Sequence, residues 1–185
     1  MKTAKSLSLA AFILCMALLS LSFASKPKVV STDRVNQLVA DWERAKAFTK
    51  EYLDAANEDV INFKPSPEMR SFAEQMLHLA MGNGGIVSTS TGKTSPFKEN
   101  IEKLDQFKTK EALIKAVMES YDFVIATLKE MDDQKLAEKV KFFNGQEYTR
   151  EVGIGKAFEH QTHHRGQTTI YLRLKGVTPP QEKLF

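Results

Sequence analysis

Apolar residues recur with the 3.6-residue period of an amphipathic α-helix in several long segments of this chain. This period restricts the fold more than any other feature of the sequence. The segments with the pattern are residues 34–56, 72–81, 109–131 and 154–175. No strand patterns alternate with these helices, as a parallel α/β fold would require. The sequence therefore predicts an all-α fold, a four-helix bundle.

The second helix has a recognisable start. Ser71 and Glu74 have the spacing of a capping box, in which the side chain of each residue accepts from the backbone N–H of the other. Three glycines after residue 81 predict that the helix ends or loosens there, with a helix able to resume over residues 86–87. They are Gly82, Gly84 and Gly85. Residues 88–99 are rich in Ser and Thr and predict a surface loop.

A short β-hairpin is predicted immediately before the last helix. Asn144-Gly145 is a strong signal for a tight hairpin turn, because both turn positions favour positive φ. Such a hairpin is marginally stable alone, so we expect it to pack on the helices. Gly176 and the Pro179-Pro180 pair then predict the end of the final helix.

The N-terminal 24 residues have the form of a secretory signal peptide. Lys2 and Lys5 precede an apolar run, and small residues at 22 and 24 suit a cleavage site. A retained membrane anchor is the alternative, while Leu14 before Cys15 disfavours lipidation. We therefore expect export, to a periplasm or outside the cell. The predicted organisation is a signal peptide (1–24), a linker (25–31), a metal-binding bundle (32–180) and a C-terminal tail (181–185).

Charge and cysteine content exclude several functions for the chain after residue 24. Residues 1–24 hold two lysines and no acidic residue, so the remaining 24 basic and 23 acidic residues leave a net charge of +1. That balance gives no basic face for nucleic acid. Cys15 is the single cysteine. After its removal there is no disulfide or thiolate, and any metal must use nitrogen or oxygen ligands.

Histidines are concentrated in the last predicted helix. Three of the four fall within five residues, at 160, 163 and 164. His160 and His164 are four apart, which places both rings on one helical face. His78 lies near the apolar side of the second helix. We predict that His78, His160 and His164 meet inside the bundle and hold a divalent metal ion.

These segments resemble a known family. EHQTHHRGQTTIYLRLKGVTPP is similar to the closing helix of the DinB-like superfamily of four-helix-bundle metalloproteins (DinB/YfiT-like), and RSFAEQMLHLA is similar to its second helix. The resemblance implies a down-up bundle with a long crossover. It also implies one divalent ion, usually zinc or nickel, bound by His78, His160 and His164. Related proteins often dimerise, so the resemblance allows a homodimer.

Five further residues are candidates for the pocket around the ion. His163 is expected to be structural or to support a ligand, and Gln167 to pack or to bond to a ligand. Arg165 either holds an acidic substrate group or forms an ion pair on the helix surface. Tyr171 is a core residue whose hydroxyl could line the pocket. Glu74 is explained by capping, with a general base for water at the metal as the alternative.

The sequence favours a metal-dependent hydrolase of unknown substrate, because three neutral imidazoles leave the ion its full charge. The alternatives are a non-catalytic periplasmic metal-binding or stress-associated protein, a metal-free bundle with an interaction role, and a thiol-transferase-like enzyme. Export counts against the transferase, since relatives with that activity use a cytoplasmic thiol. The expected partner is a small-molecule substrate or none, with no nucleic acid and no stable membrane anchor.

Overall fold

The computed structural model describes residues 31–185. Within them lie six α-helices, two short strands and two 3₁₀ turns. The helices are α1 Asp33–Ala55, α2 Glu58–Ile61, α3 Phe72–Thr91, α4 Lys110–Lys129, α5 Asp133–Leu136 and α6 Arg150–Leu174. The strands are β1 Lys139–Lys141 and β2 Glu147–Thr149, and the 3₁₀ turns are Ile101–Lys103 and Asp105–Phe107. The predicted signal peptide (1–24), and all of the predicted linker except Ser31, lie outside the described residues.

Four long helices form the bundle, which confirms the predicted fold class. α3 packs against α4 and α6, and α1 packs against the same two helices. α1 and α3 therefore stand diagonally across the bundle, and so do α4 and α6. The core between them contains completely buried aromatic side chains, including Trp42, Phe72 and Tyr121. Among residues 31–185, no helix has both the length and the apolar character needed to cross a membrane.

The start of α1 is stabilised by a residue distant in sequence. Its N-cap residue, Thr32, makes no side-chain capping bond. The Asp133 carboxylate instead accepts from the backbone N–H of Val35 at 3.1 Å and of Arg34 at 3.4 Å. An acceptor at a helix N-terminus satisfies N–H groups that have no intrahelical partner. This contact ties α1 to the segment that leads to the hairpin.

α3 begins at the predicted capping box but continues through the three glycines, so the predicted end near residue 81 was wrong. Ser71 accepts from Glu74 N at 3.2 Å, and Glu74 accepts from Ser71 N at 2.8 Å. The helix ends at Thr91, and Gly92 follows with φ of 76°. Glycine costs about 1 kcal/mol relative to alanine inside a helix. At Gly82 close packing requires the glycine, because a Cβ there would lie 2.2 Å from the ring of His160.

The hairpin is confirmed, and α6 begins earlier than predicted. Val140 pairs with Tyr148 in the antiparallel ladder, and Gly145 in the turn has φ of 80°. Thr149 accepts from Val152 N at 3.3 Å and so caps α6, which starts at Arg150 rather than near residue 154. The hairpin thus leads directly into the helix that carries His160 and His164.

Candidate metal centre

Three imidazoles converge between α3 and α6. His78 comes from α3, and His160 and His164 come from adjacent turns of α6. One nitrogen from each ring lies within 4.8 Å of one nitrogen from each of the others. The centroid distances between the rings are 5.0 Å for His78–His160, 4.5 Å for His78–His164 and 4.4 Å for His160–His164. The structure therefore brings together the three residues that the sequence predicts as ligands.

The ring of His78 is oriented by a carboxylate from the crossover between α3 and α4. Glu102, in the first 3₁₀ turn, has its Oε1 2.6 Å from His78 Nδ1. Its other oxygen accepts from Arg70 Nε at 2.9 Å. Burial raises the pKa of the Glu102 carboxyl, but the hydrogen bonds from His78 and Arg70 outweigh burial and hold this pKa below its usual value. An ionised Glu102 accepts a hydrogen bond from His78 Nδ1–H, which leaves the lone pair on Nε2 and directs it towards the other histidines.

The ring of His164 is oriented by an amide. Gln75 Oε1 accepts from His164 Nδ1 at 2.9 Å. The amide orientation is fixed because Gln75 Nε2 donates to Gln167 Oε1 at 2.7 Å and to Tyr171 Oη at 3.3 Å. His164 Nδ1 therefore carries the proton, and its Nε2 presents a lone pair to the centre. Burial, followed by the neighbouring imidazoles, lowers the pKa of His164 to about 3.

The ring of His160 is positioned by packing. Its Nδ1 is buried without a hydrogen-bond partner among the described residues. This edge of the ring lies against Gly82, where any side chain would collide with it. The opposite nitrogen, Nε2, lies 3.3 Å from His78 Nε2. Burial, and then the nearby His78, lowers the pKa of His160 to about 4.

This arrangement fits a divalent metal ion. Two imidazole nitrogens bound at ~2.0–2.1 Å to a tetrahedral ion lie about 3.3 Å apart, which is the separation of the Nε2 atoms of His78 and His160. The low pKa values of His160 and His164 keep both rings neutral at neutral pH, as ligation requires. His78 and His164 thus present oriented lone pairs to a point that His160 Nε2 also faces, and such a donor set could hold a metal ion.

His163, Gln167 and Tyr171 lie around this centre. His163 is exposed, and its Nε2 is 2.7 Å from Gln167 Nε2. Gln167 in turn supports Gln75, so it acts on His164 through one intermediate residue. Tyr171 is completely buried and donates to the Arg70 carbonyl at 2.8 Å. Gln167 and Tyr171 therefore support Gln75, which orients His164, whereas His163 contacts Gln167 from the exposed side of the helix.

Two other candidates lie elsewhere. Arg165 does not form the predicted surface ion pair. Its side chain is buried, points away from the histidines, and donates to Gln161 Oε1 at 2.8 Å and Thr49 Oγ1 at 3.3 Å. Glu74 caps α3 and pairs with Lys64 and Lys108, and these contacts account for its position.

Sequence reasoning missed Glu102 and the role of Gln75. Glu102 lies in the crossover, and no spacing links it to His78, 24 residues away. Gln75 does carry a signal, because it lies one turn before His78 on the buried side of α3. A buried amide beside a histidine-bearing position is a candidate to orient a ligand.

Known proteins share this fold and this sequence pattern. A sequence model of the DinB family matches residues 30–184. The uncharacterized protein YjoA of Bacillus subtilis is 23% identical over 147 residues, which cover 77% of this chain and 92% of YjoA. A DinB-like protein from Bacillus cereus has a similar structure, with a TM-score of 0.69 and 19% identity over 79% of this chain and 95% of that chain.

YfiT from Bacillus subtilis is also similar in structure. Its TM-score is 0.62 at 16% identity, over 82% of this chain and 93% of YfiT. YfiT is described as a probable metal-dependent hydrolase with an unusual four-helix bundle topology. At these identities the structural likeness establishes the shared fold.

Proposed function

The chain belongs to the DinB family, and on that basis we propose that it is a metal-dependent hydrolase that holds one divalent ion, zinc or nickel. The ligands are His78, His160 and His164. The observation that supports this proposal best is the set of facing imidazole nitrogens, two of which are oriented from outside by Glu102 and Gln75. The description of YfiT as a probable metal-dependent hydrolase supports the reaction class.

The chain's own residues determine how the centre is reached and held. The side chains of His78 and Arg70 are 28% and 42% exposed, whereas His164 is buried. A substrate therefore enters from the side of His78, past the Arg70–Glu102 pair. When bound, the ion acts as a Lewis acid that polarises a carbonyl or phosphoryl oxygen and makes water a nucleophile at neutral pH. The hydrogen bond to Glu102 keeps the proton on His78 Nδ1. The Nε2 of His78 therefore stays free of a proton and faces the other two histidines.

Elemental analysis tests the metal part of the proposal. The purified protein, loaded with zinc or nickel and dialysed, should hold one ion per chain. His160→Ala should lose it, because a ligand that points into the centre is removed. His163→Ala is the matched control, since this exposed ring lies on the same helix but outside the triad. Equal metal content in the wild-type protein and His160→Ala would contradict the assigned centre.

Turnover assays test the reaction class. The metal-loaded protein should hydrolyse at least one member of a panel of activated carboxylic esters, amides and phosphoesters, and His160→Ala should not. If the loaded protein has one ion but turns over no member and binds none of the matching substrate analogues, the non-catalytic metal-binding function replaces the hydrolase.

We propose in addition that the protein is exported and that residues 1–24 are removed. The basic start, the apolar run and the small residues before position 25 support cleavage there. Mass spectrometry of the protein recovered from the periplasmic or culture fraction should give a chain that begins at Ser25. Recovery of the intact N-terminus from the membrane fraction would favour a retained anchor.

A further inference from the structure

Arg165 is a buried cation without an anionic partner. It is 8% exposed, and no carboxylate of residues 31–185 lies within ion-pair distance of its guanidinium. Its Cζ lies 4.5 Å from the ring centroid of Phe48. Burial lowers the pKa of Arg165, but an arginine side chain keeps its charge at neutral pH. Burying a charge without a counter-ion is unfavourable, so this position calls for an anion.

The hydrogen bonds of Arg165 leave one edge of the guanidinium available. Both bonds within the described chain, to Gln161 and Thr49, come from Nη1. Nε and Nη2 donate to no described residue, and neither is among the buried atoms that lack a partner. These two nitrogens present parallel N–H groups on one edge. This fork matches the two oxygens of a carboxylate.

Arg165 lines a groove of about 840 Å³ between α1, α6 and the C-terminal segment. On α6 the groove is lined by Thr162, Gly166, Thr169 and Arg173, which lie along one stripe of the helix. The far wall is the chain that follows Gly176. It reaches back to α1, where Arg44 Nη1 donates to the Lys183 carbonyl at 2.9 Å. None of the three converging histidines lines this groove.

The remaining walls define the chemistry that fits the groove. Phe48, Tyr52, Val177, Pro179 and Pro180 supply apolar surface. Besides Arg165, the charged residues in the lining are Arg173 and Glu182, both exposed and of opposite sign. Arg165 is thus the buried charge of the groove, and its walls combine these apolar side chains with polar ones such as Thr162 and Thr169. This mixture suits a ligand with a single negative charge and a small apolar body.

We propose that this groove is a second ligand site, separate from the histidine centre, for a small monocarboxylate with an apolar body. Its two oxygens accept from Nε and Nη2 of Arg165, and its body lies against Phe48 and the proline segment. This site goes beyond the hydrolase function and does not depend on it.

Benzoate is a suitable probe, with benzamide as the uncharged control of the same shape. Arginine Nε–H resonances in ¹⁵N-labelled protein report directly on the fork. Benzoate should shift one such resonance saturably, and benzamide should not. Arg165→Met should remove this resonance and weaken benzoate binding by at least about tenfold, as expected for charge-assisted hydrogen bonds. A thermal unfolding transition of this variant like that of the wild-type protein would show that its fold is intact.

A pair of glycine variants tests the site without altering Arg165. A Cβ on Gly166 or on Gly155 would meet open space, but only Gly166 lines the groove. Gly166→Leu should block benzoate, and Gly155→Leu should leave its affinity unchanged. This pair decides the question if Arg165→Met fails to fold.

His164→Ala separates the groove from the metal centre, because a carboxylate can also bind a metal ion. The variant should bind benzoate as the wild-type protein does. Loss of benzoate binding in His164→Ala together with normal binding in Arg165→Met would place the ligand at the metal and overturn the groove. Absence of saturable benzoate binding to the wild-type protein, or tighter binding of phenyl phosphate than of benzoate, would overturn the proposed ligand class.

Discussion

Two buried polar clusters lie along α6, and they differ in how their hydrogen bonds are completed. His160 and His164 face α3, where nitrogen lone pairs point at one another. Gln161 and Arg165 directly follow these two histidines in the sequence and face other helices. Gln161 contacts Tyr121 of α4, and Arg165 contacts Thr49 of α1. There Tyr121 donates to Gln161 Oε1 at 2.8 Å and bonds with Thr49 at 2.7 Å, so donors meet acceptors.

The difference separates a binding centre from a structural network. In the cluster around Tyr121, the side chains of Gln161 and Thr49 and the Nη1 of Arg165 complete one another's hydrogen bonds, which stabilises a single packing arrangement. Nε and Nη2 of Arg165 take no part in this network. In the histidine cluster, Glu102 and Gln75 accept from the outer nitrogens of His78 and His164, so the Nε2 atoms of these two rings face the centre. Converging imidazole nitrogens of this kind could hold a cation. Substitutions in the two clusters should therefore affect different quantities.

The largest expected effect comes from comparing one alanine substitution in the histidine cluster with one in the Tyr121 cluster. His164→Ala should weaken zinc or nickel binding by more than about 100-fold, because loss of a ligand exceeds the 10–100-fold typical of residues that support ligands. Gln161→Ala should keep the metal but lower the free energy of unfolding by about 1–3 kcal/mol, because buried donors lose their acceptor. Metal titration and urea denaturation of both variants measure this. If Gln161→Ala is fully folded but no longer binds the metal, the two clusters are not independent.

The next effect concerns the carboxylate that orients His78. Glu102→Gln should weaken metal binding by about 10–100-fold while the chain remains folded, because a neutral amide accepts more weakly from Nδ1. Glu74→Gln is the matched control, since glutamine still completes the capping box and Glu74 has its own contacts with Lys64 and Lys108. Competition with a chromophoric chelator gives both affinities. Equal affinities would remove Glu102 from the centre.

Features that depend on residues close together in the sequence could be predicted, whereas contacts between distant residues could not. Helix periods and the four-residue spacing of His160 and His164 are local, and they predicted the bundle and the facing rings. His78 was found through its position near the apolar side of α3. The contact between Glu102 and His78 depends on how the crossover folds over α3, and no local pattern encodes that. The structure was needed to show that the crossover brings Glu102 to His78.

The two polar clusters also explain why the buried face of α6 is harder to locate from the sequence than that of α1. The middle of its buried face is polar, since the buried residues between positions 161 and 168 are Gln161, His164, Arg165 and Thr168. Hydrophobic periodicity cannot locate such a face, so Arg165 was expected to form a surface ion pair or to hold an acidic substrate group. The early end predicted for α3 has a related cause. Helix propensity alone disfavours Gly82, whereas the ring of His160 requires it.

A glycine pair on α3 sharpens the comparison with a smaller effect. Gly82→Ala places a Cβ where the ring of His160 lies, at 2.2 Å, so the ring or the helix must shift. Overpacking of this kind costs about 1–3 kcal/mol, and metal affinity should fall with it. Gly85→Ala meets open space and should raise the stability by about 0.5–1 kcal/mol. Thermal unfolding with and without metal compares the variants, and a stabilising Gly82→Ala with normal metal content would contradict the close packing.

The smallest effect is the ionisation of Tyr121 in the satisfied cluster. Burial raises the pKa of Tyr121 to about 12, although bonds from Thr49 and the charge of Arg165 act against it. The pKa of an unfolded tyrosine is about 10, so the native state keeps this proton over a range where the unfolded state loses it. The contribution to stability is complete below about pH 10 and is lost as the pH rises towards about 12. Absorbance at 295 nm during a rapid pH jump should show one tyrosine with a midpoint near 12 that is absent in Tyr121→Phe. If Tyr121→Phe instead loses its amplitude near pH 10, the hydroxyl of Tyr121 is open to water and does not belong to a buried network.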